Sequence, residues 1–143
     1  MANWVGSFVC LSFKREMFEG IHDFRSNIFK LALYTSDALL TPQTTAYQTQ
    51  GEVLSLGGYT AGGKQATVYP PVVAGNAAFI DIDDVSWPDA SFTARGGMLY
   101  NASKAGWPAV FVLDFQIDRV PNVGSFTVRF PTGDKDSAIL RIP

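Results

Sequence analysis

Eight short stretches of this chain alternate or run apolar, and each is closed by Gly, Pro, Asn, Asp or Ser within about ten residues. That spacing constrains the fold more than any other feature. The stretches are 27–36 (NIFKLALYTS), 50–56, 65–73, 77–85, 91–101, 108–116, 124–131 and 137–142. Between them lie clusters such as LGGYTAGGK, SWPDA, NASKAGWP and PTGDKD. Short period-two runs separated by turn residues predict an antiparallel β-sandwich, jelly-roll-like, of about eight strands. No alternation of strand and helix suggests a parallel sheet. Pro70 and Pro71 restrict 65–73 to a sheet edge or a bend.

One segment departs from this rhythm. In 12–24, Phe13, Met17, Ile21 and Phe24 recur at spacings of three and four, with charged residues between them, which predicts a short amphipathic helix. Ser12 is its candidate N-cap, and Gly20 weakens it. His22 falls on the polar face and is expected in solvent. Ahead of the helix, residues 1–11 form an apolar arm containing Trp4, Val5, Phe8 and Val9. It either pairs with a sheet edge of its own subunit or reaches a neighbour. At 143 residues, single-domain size is expected for 1–143.

GYTAGGKQ (58–65) fits seven of the eight positions of the phosphate-binding loop G-x-x-x-x-G-K-[ST]. That loop needs a hydroxyl after the lysine to hold magnesium, and a helix whose first amides face the phosphates. Gln65 stands in place of the hydroxyl, and the β-branched, proline-containing segment behind it cannot begin a helix. The expectation is a glycine-rich connection between strands, with no cofactor.

Other chemistry is equally sparse. One cysteine, Cys10, and one histidine are too few for a zinc site, and Cys10 lies in an apolar run. Asp81 and Asp83 alternate with Ile80 and Ile82, as on the wet face of a strand; a calcium role for Asp81, Asp83 and Asp84 is the rival reading. The net charge of −2 lacks the basic block that nucleic-acid binding needs. No apolar run approaches the ~18 residues of a membrane span. The first residues lack the basic region of a signal peptide, so assembly in a reducing cytoplasm is expected.

The segments FKLALYTS (29–36), TTAYQTQGEV (44–53), GGYTAGGK (57–64), AFIDIDDVSWPDASFTARGGMLYN (78–101), AVFVLDF (109–115), FTVRFP (126–131) and AILRI (138–142), in that order, resemble a family of small virion proteins of tailed bacteriophages. The resemblance runs from about residue 12 to the end. It implies a β-sandwich without catalysis that decorates the capsid as a cement protein, with the major capsid protein and its own copies as partners. A homotrimer suits a threefold site of an icosahedral shell. It implies location on the outer surface of the virion and no small-molecule ligand. Residues 18–28 depart from the pattern, which would have a turn richer in Gly and Asp. The candidate partner-binding residues are Trp4, Phe8, Tyr59, Lys64 and Trp87. The rival reading is a tail- or fibre-associated module, or one that binds host glycans through Trp87, Trp107 and Tyr59.

Overall fold

The computed structural model describes residues 4–122 and 124–143. The chain is an all-β, sandwich-like fold with one short helix. In order, the elements are β1 (Phe8–Val9), α1 (Leu11–Phe18), β2 (Phe29–Tyr34), β3 (Lys64–Ala66), β4 (Val72–Ala74), β5 (Ala77–Ile80), β6 (Val85–Trp87), β7 (Ala94–Asn101), β8 (Ala109–Arg119), β9 (Phe126–Val128) and β10 (Leu140–Ile142). They form a five-stranded sheet, β1-β8-β7-β2-β3, a three-stranded sheet, β10-β5-β4, and a two-stranded sheet, β6-β9. Every pairing is antiparallel.

Strand β2 explains the long apolar run at 27–36. It lies between β7 and β3, and Phe29 and Leu31–Tyr34 are all buried. A strand covered on both faces has no wet side, so it reads as continuous hydrophobicity rather than alternation. One chain therefore absorbs apolar residues that could have suggested a subunit contact.

Two expected strands are broken. The run 65–73 divides at Pro70–Pro71 into β3 of the large sheet and β4 of the small one, because proline removes a ladder donor. The run 77–85 likewise divides into β5 and β6. Residues 50–56 make no strand. They meet β2 at one bridge, Tyr34 to Glu52, made by Val53 N to Leu33 O at 3.0 Å and Thr35 N to Gly51 O at 2.8 Å.

The helix ends earlier than its periodicity predicts. Ile21 N bonds Glu16 O at 3.0 Å and Gly20 N bonds Met17 O at 3.3 Å, with Gly20 at φ +70°. This is the paired-carbonyl closure that a left-handed glycine permits. Ser12 is not the cap: Cys10 is, and it makes no side-chain cap bond. Beyond Gly20 the chain folds back, so His22 is buried rather than solvated. The Asn101 Oδ1 accepts from Ser103 N at 3.0 Å, so its Nδ2 faces His22 Nδ1 at 3.1 Å and Asn27 Oδ1 at 2.9 Å. An amide nitrogen can only donate, so His22 Nδ1 accepts. The ring proton then sits on Nε2 and is donated to Glu16 Oε1 at 2.9 Å. Phe13, Phe24 and Phe29 surround the ring.

The arm, from Trp4 onward, packs on its own subunit; residues 1–3 lie outside the described residues. Phe8 and Val9 pair with Val112 and Phe111 of β8. Trp4 is buried, and its Nε1 donates to Thr35 O at 3.2 Å. The Arg95 guanidinium lies 5.8 Å from the indole and donates to Asp114 Oδ1 at 3.1 Å. Asp114 Oδ2 accepts from Gly6 N at 2.9 Å. Gly96 makes room for the indole: a Cβ there would come within 2.4 Å of the Trp4 ring and 2.3 Å of Leu113 O.

Gly96→Ala is accordingly expected to expel Trp4 and cost about 2–3 kcal/mol in urea unfolding. Removing residues 1–11 is expected to lower the melting midpoint by several degrees. Because both changes remove the Trp4 contact, Gly96→Ala should cost less in the truncated chain than in the full one, the remainder coming from the Leu113 O clash. Full additivity would show that Gly96 and Trp4 act independently.

Candidate functional site

The glycine-rich segment connects the stretch after Val53 to β3, and three of its amides are bonded within the chain. Gly62 N donates to Glu52 Oε2 at 2.8 Å, Ala61 N to Ser55 Oγ at 2.7 Å, and Gly63 N to Thr60 O at 3.0 Å. A carboxylate of the chain itself thus occupies an amide that a phosphate cradle would need. Gly58 and Gly63 both have positive φ. A Cβ on Gly63 would lie 2.0 Å from Leu31 O, and one on Gly58 2.3 Å from Asp89 O. Close backbone approach, rather than ligand access, requires these glycines. Lys64 begins β3, where no helix follows. Its ammonium donates to Ser86 O and lies 5.7 Å from the centre of the Trp87 ring. The lysine ties β3 to β6.

Glu52 organises the segment and was invisible as a partner in the sequence. Its carboxylate is buried, and among the described residues no basic side chain is bonded to it. Tyr47 Oη donates to Oε1 and Tyr59 Oη to Oε2, each at 2.5 Å. Tyr59 Oη in turn accepts from Leu33 N at 2.9 Å. Tyr100 Oη donates to Gly62 O at 2.5 Å, and Tyr34 Oη to Gln48 O at 2.6 Å. Charge-assisted bonds of this kind offset the desolvation of a carboxylate. Two phenols thereby bond the carboxylate, and two more, Tyr34 and Tyr100, feel its charge while bonded to backbone carbonyls. Burial, then hydrogen bonding to Glu52, pushes Tyr59 and Tyr47 well above their ordinary value. Burial also raises Tyr34, and it raises Tyr100 to about 12.

The proposed partner-binding residues divide. Trp4, Tyr59 and Trp87 are buried core residues. Trp87 packs against Tyr59, Phe92 and Phe126. Phe8 is half-buried in β1. Lys64 is exposed but occupied as described. Trp107, by contrast, is 49% exposed. Burial, then the Glu16 charge, raises the Cys10 thiol to about 12, which suits a small apolar core residue rather than a nucleophile. Asp83 accepts from Tyr69 Oη at 2.8 Å, and Asp84 from Phe130 N at 2.8 Å. Among the described residues, no group of three or more His, Cys, Asp or Glu side chains is placed to hold a metal ion.

Two surface features remain. A groove of about 660 Å³ runs between Leu113–Phe115 of β8 and Phe126–Val128 of β9. Its β8 edge is already capped, because Asp114 N donates to Ser7 Oγ at 2.8 Å and Gln116 N to Asp114 Oδ1 at 2.7 Å. The second feature lies on the small sheet. Val73 and Ile142 both stand opposite Ala78, on one face, and are 79% and 67% exposed. Comparison with protein-family models, curated proteins and solved structures returned no match.

The tyrosine cluster makes stability sensitive to alkali. The folded chain keeps these protons at a pH where an unfolded chain releases them: the ordinary values are 9.0 for Cys10 and 10.0 for the tyrosines. Stability is therefore intact below about pH 9 and falls as pH rises beyond 10. In an ultraviolet titration at 295 nm, exposed Tyr69 should ionise in the folded protein, while Tyr34, Tyr47, Tyr59 and Tyr100 ionise together with unfolding. Five independent, reversible ionisations would contradict the cluster.

Proposed function

We propose that this chain is a non-enzymatic structural protein of a tailed-bacteriophage virion: a decoration, or cement, protein on the outer capsid surface that bridges major capsid protein subunits. The ordered resemblance of residues 12–143 supports the family. The observation that carries the bridging role is the three-stranded sheet. Among the described residues its outer strands, β4 and β10, each pair only with β5, and its exposed face presents Val73 and Ile142. An apolar pair on the face of a small sheet is a surface that a neighbouring subunit can cover. Each contact is small, but a shell presents many copies, and multivalent attachment adds modest contacts into lasting occupancy. The N-terminal arm is not needed for bridging in this reading, since it completes its own sheet. A homotrimer is the expected assembly, with the small sheet at or beside the contact.

Mixing purified protein with undecorated capsids and pelleting the particles tests this directly. Wild type should co-sediment at a fixed stoichiometry. Val73→Asp and Ile142→Asp should each lower occupancy about tenfold, which corresponds to roughly 1.4 kcal/mol per contact, and leave the melting midpoint of the free protein unchanged. Micrographs showing the protein only on tails would replace the capsid role with a tail role. Sedimentation of the free protein as a monomer at tens of micromolar would remove the trimer.

A further inference from the structure

The groove between β8 and β9 is a gap between two strand edges. Consecutive residues line it on both sides, Leu113 to Phe115 and Ser125 to Arg129, so its walls are backbone rather than one face of each strand. Strand β1 covers the β8 edge at Phe111 and Val112, and Ser7 Oγ takes the next outward amide, Asp114 N. Among the described residues β9 pairs with β6 alone.

The bonds on the β6 side fix which way the β9 backbone points. Gly124 O accepts from Ala90 N at 2.7 Å, and Phe130 N donates to Asp84 Oδ1 at 2.8 Å. Peptide groups alternate along an extended strand, so the even-numbered residues from 124 to 130 turn N–H and C=O to β6. Thr127 and Arg129 turn theirs the other way. The Ser86–Thr127 pair agrees with this. Ser86 O accepts from the Lys64 ammonium, and the two hydroxyls meet at 2.8 Å, the close side-chain approach of a non-hydrogen-bonded pair. The N–H and C=O of Thr127 and Arg129 therefore face the groove, and no other backbone group among the described residues takes them. An edge of this kind is a template for one more strand.

We propose that the groove receives an extended segment of a partner polypeptide that adds to β9 as a further strand and carries an acidic side chain. The wall from 125 to 129 accommodates a segment of about five residues, or ~17 Å at ~3.4 Å per residue. Bonds to Thr127 and Arg129 hold its backbone, and the half-buried Leu113 and Phe115 opposite receive its apolar side chains. Charge selects the rest. Arg119 and Arg129 line the groove and are exposed. Arg119 donates to Phe115 O at 3.5 Å, and Arg129 pairs loosely with Asp84 at 3.7 Å. The acidic residue of the lining, Asp114, is spent on Arg95 and the amides of Gly6 and Gln116. What the groove offers a ligand is thus cationic, and its complement is acidic. Strands β4, β5 and β10 contribute nothing to the lining, so this contact is separate from the small sheet and holds whether or not the chain decorates a capsid.

Two measurements on the full chain test this. In the free protein, residue-resolved amide exchange should be fast at Thr127 and Arg129 and slow at Phe126 and Val128. Selection from a displayed library of random twelve-residue peptides should enrich sequences that alternate apolar residues and include Asp or Glu. Those peptides, titrated by fluorescence polarisation, should bind saturably and slow exchange at Thr127 and Arg129. Thr127→Pro removes a groove-facing N–H and no β6 bond. It should weaken binding at least tenfold, and so should Arg119→Glu combined with Arg129→Glu. The double charge reversal lies on exposed side chains and should melt within about 4 °C of wild type, so its loss of binding is not a loss of fold. Slow exchange at Thr127 in the free protein, selection without acidic residues, or unchanged binding in either variant would overturn the proposal. Self-association abolished by Thr127→Pro would also overturn it, because a second copy of the chain would then fill the groove.

Discussion

A buried carboxylate, with no bonded cation among the described residues, organises the glycine-rich segment and its neighbours. Left unsolvated, an ion of that kind costs several kcal/mol. Glu52 is instead solvated by two phenols and one amide. Each bond to it also serves a second purpose. Tyr59 passes on a bond to the backbone of β2, Gly62 is held by Tyr100 of β7, and Tyr47 supports Trp107. The glycine-rich loop is consequently pinned to the fold through Tyr59 and Gly62, while Gly58, Thr60, Ala61 and Lys64 face solvent. The same letters that suggest a nucleotide site spell a clasp, because the charge its amides receive comes from the chain itself.

The rest of the chain closes around the large sheet in the same economical way. The arm caps the edge of β8 with Phe8 and Val9, and Trp4 fills the space above Gly96. The turn after α1 is fastened to β7 through His22, Asn27 and Asn101. Of the large apolar side chains that stay exposed, Val73 and Ile142 share one face of the small sheet, and the proposed contact with capsid subunits is assigned to them.

The strands of the large sheet were legible because burial on both faces leaves a compositional mark, as in FKLALY and AVFVL. The switches between sheets were half legible. Pro70–Pro71 announced a break, but nothing in FIDIDDV marks the point where β5 ends and β6 joins another partner. Periodicity carried the helix past Gly20 because spacing records which face is apolar, not whether the chain continues. His22 misled for that reason. The aromatic anchors misled differently: an indole before proline looks alike whether it faces inward, as Trp87 does, or outward, as Trp107 does. Glu52 left no trace, since its partners stand five, seven and ten residues away and meet it only in the folded chain.

The clasp is tested most directly by hydrogen exchange of the backbone amides, resolved by residue, in wild type and in Glu52→Ala. The account predicts that Ala61, Gly62 and Gly63 are protected in wild type about as well as the edges of the large sheet. In the variant they should become open to exchange, while the β7–β8 ladder stays closed below global unfolding. Rapid exchange at Gly62 in the wild-type protein would contradict it, because the amide would then be free and the loop available to a ligand.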